Sequence, residues 1–260
     1  MNFTLAELSG MIGSFLWPFI RIGAMVMAAP IFSANYISAR FRLLIALVIT
    51  MVVVPTINTP MPEVNAVSGD GLLLIAQQIL IGVCLGFMLQ LLFNAFIIAG
   101  QVIAMQMGLG FASLVDPQNG QTVPVISQFY LIFVSLIFVS INGHLVLIQV
   151  LAESFVTMPI GSGGLAIESF RDIALLGSWM YAAAILIALP AIGSLTMVNL
   201  AFGILSRAAP QISPFSIGFP MSIILGFVIM LVTLPLVGQH LINLSDEMLQ
   251  MTRQLVVSGG

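Results

Sequence analysis

Charged side chains are so sparse in this chain that the gaps between them outline its elements. Each charge at a lipid-exposed helix centre costs about 2.5 to 3.5 kcal/mol, so an uncharged run is a candidate buried or lipid-facing segment. Up to Pro62 the gaps are short: Leu8 to Ile20, Ile22 to Ala39 and Leu43 to Pro62. They read as two apolar helices separated by a turn that carries Arg40 and Arg42. Four long gaps follow, Gly71 to Val115 (45 residues), Pro117 to Ala152 (36), Ile173 to Ser206 (34) and Ala208 to Ser245 (38). Forty-five helical residues would reach about 68 Å, roughly twice the 30 Å hydrocarbon core of a bilayer. Either a hairpin lies inside that gap, or one long helix is covered partly by protein. No proline or turn cluster interrupts it before Asp116, Pro117, Asn119 and Gly120, which predicts the long helix, kinked if anywhere at Gly82, Gly86 or Gly100.

The resulting map has six apolar segments, about 9 to 34, 43 to 58, 71 to 113, 123 to 158, 173 to 206 and 214 to 245, all helical. The fold class is all-α, an integral-membrane-type protein of long kinked helices. Pro18, Pro190 and Pro235 fall inside apolar stretches and predict bends there. The Gly-rich, charged stretch 159–172 predicts a linker between an N-terminal part, 1–158, and a C-terminal helix hairpin with its tail, 173–260.

Small and polar residues modulate the third segment. Gly100, Ala104, Gly108 and Ala112 recur every four residues, as do Gly82 and Gly86, giving strips on which another helix can approach closely. Gln90, Asn94 and Gln101 form a polar strip that is unfavourable against acyl chains and suited to hydrogen-bonding neighbours. Packing against other subunits and packing within the chain fit these strips equally well.

Composition sharpens the picture. Of 260 residues 60% are hydrophobic and 6% charged, against roughly 25% charged in a soluble domain, so a water-soluble surface cannot be built. Six Arg, no Lys and a net charge of -3 exclude nucleic-acid binding as a main function. Cys84 is the one cysteine, so no intramolecular disulfide forms. The N-terminus lacks basic residues before its apolar run and carries Glu7 and Arg21, so it is expected to be mature sequence and not a signal peptide. Gly259-Gly260 is set aside. In a six-span count Arg40, Arg42 and Arg207 share one side, which the positive-inside rule makes cytoplasmic, although Arg171 and Arg253 vote the other way.

Catalytic chemistry is thin. There is no HExxH, nucleophile elbow, phosphate-cradling GxxxxGKS or carboxylate pair at catalytic spacing, so neither an enzyme nor a cofactor is expected. His144 and Glu153 are nine residues apart, half a turn out of phase, and predict no local relay. Arg21 lies deep in its segment and needs another subunit or helix carbonyls as partner.

The most unusual stretch is Met105 to Pro124, where Gly108 and Gly110 permit a backbone path closed to other residues and Asp116-Pro117 opens a turn. Met105, Met107, Phe111 and Leu114 offer deformable apolar contacts. Such a segment suits closing a conduit; a connector that only packs is the plainer alternative.

Several blocks resemble one family: Ala29-Pro30-Ile31-Phe32 before Arg40 and Arg42, ILIGVCLGF from Ile79 to Phe87, AGQVIAMQMGLGFASLVDP from Ala99 to Pro117, INGH from Ile141 to His144, and LAFGILSRAAPQISPFSIGFP from Leu200 to Pro220. In order and spacing, from about Met11 to Leu236, they resemble the flagellar biosynthetic protein FliR family. The resemblance implies a core subunit of a type III secretion export gate, assembled with FliP- and FliQ-type subunits into a closed cone. It also implies contact with FlhB- and FlhA-type components and with unfolded export substrates in transit. By the same resemblance the chain is a FliP-like part joined to a FliQ-like hairpin, and residues 106–122 form a plug. The assembly would sit in the bacterial inner membrane at the flagellar basal body, raised toward the periplasm. Members often carry an acidic residue where this chain has Gln78, and a Lys after the Phe219-Pro220 pair where it has Met221 and Ser222. A stand-alone small-solute transporter or channel is the alternative, and would need several charged residues at the membrane midplane.

Overall fold

The computed structural model describes residues 5–32, 37–57, 59, 61–62, 64, 67–110, 113–115, 122–161, 167–208 and 218–258. Among these residues the chain is all-α apart from one short ribbon. Its helices are α1 (Leu5–Ala28), α2 (Ala39–Val53, continued by a 3₁₀ turn Val54–Thr56), α3 (Gly69–Gln106), α4 (Val125–Ser140), α5 (Gly143–Thr157), α6 (Ile167–Ala208) and α7 (Phe219–Ser258). Strands β1 (Ser113–Val115) and β2 (Thr122–Pro124) pair antiparallel, with Leu114 opposite Val123.

Helix ends follow local chemistry. α1 stops at Ala28, just before Ala29-Pro30, because a residue preceding proline is pushed out of the helical region. α2 starts at Ala39 with Ser38 as N-cap, so Arg40 and Arg42 lie in its first turn and do not form a separating turn as expected. Nothing between Ala39 and Leu43 breaks a helix. The Ser68 hydroxyl accepts the Gly71 N–H at 3.1 Å to cap α3, and Asp70 in the first turn complements the helix dipole.

α3 runs unbroken for 38 residues, about 57 Å at 1.5 Å per residue, in line with the long-helix expectation. α6 and α7 have 42 and 40 residues and run through Pro190 and Pro235. The expected single segment 123 to 158 is instead two helices bent by 68°. Asn142 makes the corner in the left-handed region (φ 58), and its carbonyl accepts the N–H groups of Leu145 and Val146 as α5 begins. Among the described residues four helical stretches are long and apolar enough to cross a membrane, Ala39–Thr56, Gly69–Gln106, Ser169–Ala208 and Phe219–Gln254, and the bent α4–α5 pair passes the same test together.

The chain packs as two compact units. The first is drawn from Met1–Leu91, Asn142–Gly177 and Asp246–Gly260, the second from Leu92–Ile141 and Ser178–Ser245, so α3, α6 and α7 contribute to both. The first has Trp17, Ile22, Met25, Leu85 and Phe155 at its core; the second has Phe96, Ile103, Val134, Ala188 and Leu195. Phe93 and Phe138 meet edge to face in the second, 5.5 Å between centroids.

Candidate functional site

The second unit contains the segment that follows α3. α3 ends in a Schellman motif: the Leu109 N–H donates to the Ala104 carbonyl (2.8 Å) and the Gly108 N–H to that of Met105 (3.1 Å). That arrangement requires a left-handed residue, and Gly108 supplies it at φ 78. Gly110 has no positive φ, so of the two glycines expected to give an unusual path only Gly108 does so.

α7 clasps this helix end in two places. The Phe219 ring lies over Gly108, where a Cβ would stand 2.5 Å from Cε2. About two turns along α7, Met107 is fully buried across Gly226, where a Cβ would stand 2.5 to 2.8 Å from its side-chain atoms. In each contact one partner is a glycine, without the side chain that would push the other away. Beside the clasp Ser222 Oγ donates to Asn199 Oδ1 at 3.1 Å, joining α7 to α6. Two cavities border these residues. One of about 330 Å³ runs from Met105 and Gly108 to Phe202 and Phe219; the other, about 550 Å³, lies between Gln106 and the Thr196 to Arg207 face of α6.

The remaining sequence-expected residues are placed as follows. Met105 is 68% exposed, and Leu114 lies in β1. Phe111, Asp116 and Pro117 lie outside the described residues. Gly100 and Ala104 are buried, and a Cβ on Gly100 would stand 2.6 Å from the Ser127 Cα of α4. In the first unit Gly82 and Gly86 face α1: a Cβ on Gly82 would collide with the Arg21 carbonyl, and one on Gly86 would stand 2.6 Å from Ala28 Cβ. Close approach at Gly82, Gly86 and Gly100 therefore serves helices of the same chain. Gln90, Asn94 and Gln101 are half-buried, and Arg40 and Arg207 are exposed at the start of α2 and the end of α6.

Arg21 finds its partners inside the first unit. Nη1 and Nη2 donate to the carbonyls of Ser154 (2.8 Å) and Met158 (2.9 Å), Nε donates to Gln78 Oε1 (2.7 Å), and Phe155 stacks on the guanidinium at 4.3 Å. A cation thus caps the carbonyl end of α5, where the helix dipole favours it. Glu153 does not reach His144; it accepts from Gln149 Nε2 (2.9 Å) and pairs with Arg253 (3.2 Å), a half-exposed bridge worth little on its own. Among the described residues no grouping of His, Cys, Asp or Glu could hold a metal ion.

Sequence reasoning missed Phe219 and Gly226 as clasp residues and Asn199 as the partner of Ser222 beside them. Phe219 sat in a motif block without a stated role, and Gly226 is one glycine in an apolar helix, with no local signal.

Residues 12–248 match the family described as Bacterial export proteins, family 1. The chain is 37% identical to the flagellar biosynthetic protein FliR of Escherichia coli (strain K12) over 242 residues, 93% of this chain and 92% of that one. It is 35% identical to the protein of that name in Pectobacterium carotovorum over 256 residues (98% and 97%), and 30% identical to that of Bacillus subtilis over 253 (95% and 96%).

Proposed function

The chain belongs to family 1 of the bacterial export proteins, the FliR family of flagellar biosynthesis, and on that premise we propose that it is a non-enzymatic core subunit of the export gate, with 106–122 closing the conduit at rest. The observation that carries this reading is the clasp of Met107 and Gly108 on Gly226 and Phe219. It holds the root of the loop by shape alone, through apolar contacts each worth a few tenths of a kcal/mol, which suits a segment that must be released and reseated. No ligand chemistry is needed.

Partners are FliP- and FliQ-type subunits, FlhA- and FlhB-type components and unfolded substrates in transit, at the inner membrane of the flagellar basal body and raised toward the periplasm. The division into a FliP-like 1–158, a linker 159–172 whose last six residues already belong to α6, and a FliQ-like 173–260 belongs to the same proposal. Helices of 38 to 42 residues support it, since they exceed a bilayer's thickness and need protein along part of their length. A solute transporter is less well supported, because Arg21 is engaged by carbonyls and an amide and Glu153 by Arg253.

The test is the intact mass of the detergent-extracted chain with whatever co-purifies. A defined heteromer is expected; a stable, monodisperse monomer with full helical signal would overturn the reading.

A further inference from the structure

The first unit holds an open apolar groove of about 430 Å³ between α1, α2 and α3 that the export reading does not use. Phe19, Gly23 and Met27 of α1 form its floor, Leu43 and Ala46 of α2 one wall, and Ile79 and Val83 of α3 the other. Along α1 it extends from Phe19 to Ala28, about 14 Å at 1.5 Å per residue, or about half of a 30 Å hydrocarbon core. That is the depth of one leaflet.

The groove is apolar throughout except at Arg42, which lines it in the first turn of α2, with Arg40 exposed in the same turn. Both guanidinium groups have the same sign as the positive end of the α2 dipole. α2 is also, by length and composition, a candidate span that begins at Ala39, and a bilayer around it would hold the arginines at headgroup depth. Charge at one end, one leaflet of apolar wall below and an opening along the side match a single class of molecule.

We propose that this groove binds an anionic phospholipid, with the phosphate at Arg42 and Arg40 and one acyl chain lying along Gly23 between α2 and α3. The floor supports this: a Cβ at Gly23 would meet nothing within 4 Å, so the space above it is open and not taken by packing. The proposal does not depend on the gate reading.

The full chain, purified with its accompanying subunits, is reconstituted in phosphatidylcholine vesicles with a trace of phosphatidylglycerol bearing a photoactivatable acyl chain. Adducts are mapped by peptide, and unlabelled phosphatidylglycerol and phosphatidylcholine are compared as competitors. Adducts should concentrate on 19–28, 43–46 and 79–83, with phosphatidylglycerol the better competitor. Arg42→Gln should reduce that preference about five-fold and leave the adduct positions unchanged. Gly23→Leu should abolish the adducts while the thermal unfolding of the complex stays as in the parent; Val83→Phe, which fills the groove from the opposite wall, serves if Gly23→Leu does not fold. Adducts spread equally over other exposed apolar positions such as Leu231 and Val232 would overturn the proposal. So would a co-purifying polypeptide linked at these peptides, or equal competition by the two lipids.

Discussion

Two glycines two positions apart in the loop have different physical reasons to be glycine. Gly108 is left-handed and lies under Phe219, whereas a Cβ on Gly110 would meet only Met105, at 3.4 Å from its flexible Cγ and an ordinary 3.7 Å from its Cα. Gly108→Ala should therefore cost about 1 to 2 kcal/mol for the backbone alone, with more for moving the ring. Gly110→Ala should stay within about 0.5 kcal/mol. Thermal unfolding of the purified complex distinguishes them, and equal effects would show that the clasp does not constrain the loop. At Arg21 the partners are an amide, two carbonyls and the Ser154 hydroxyl, and among the described residues no carboxylate pairs with it. Gln78→Glu should raise the unfolding temperature, because a carboxylate turns the guanidinium-to-amide bond into a full ion pair with a guanidinium that is already desolvated. A fall would mean that burying the new carboxylate outweighs the pairing. The sequence marked Arg21 as needing a partner, but its partners lie 57, 133 and 137 residues away, beyond anything local pattern shows.

At the scale of elements, the long uninterrupted run was legible in α3 because neither proline nor charge divides Gly71 from Gln106. The α4–α5 corner was missed although Asn142-Gly143 is itself a turn signal, because the pair stands alone between Ile141 and His144 inside a long uncharged run. The β1–β2 ribbon was hidden for another reason: strands of three residues are too short to show alternation. Four-residue spacing singled out Gly82 and Gly86, but spacing does not say which helix meets them; α1 does, with the Arg21 carbonyl against Gly82. Gly82→Val should force α1 from α3 and lower the yield of assembled complex. Gly177→Ala, with open space at its Cβ in α6, should stabilise by about 0.4 to 1 kcal/mol. Assembly yield and unfolding temperature measured side by side check the pair; a harmless Gly82→Val would place the two helices further apart than described here.

The whole molecule exposes apolar side chains along nearly every helix, Met197 at 75% and Leu231 at 68% among them, on helices longer than a bilayer is thick. On the proposed reading, lipid covers part of that surface and neighbouring subunits the rest. A gate within such an assembly must be removable without loss of the assembly. Removal of 113–122, leaving Gly108 and α4 in place, should keep the heteromer at parental yield, since the clasp and the α3 cap lie outside the deletion. The decisive measurement is ion leakage across vesicles or cells containing the assembled complex with and without those residues. Leakage well above the parent, at equal assembly, is the expected result; leakage no greater than the parent, at equal assembly, would make the segment a packed connector and contradict the gate.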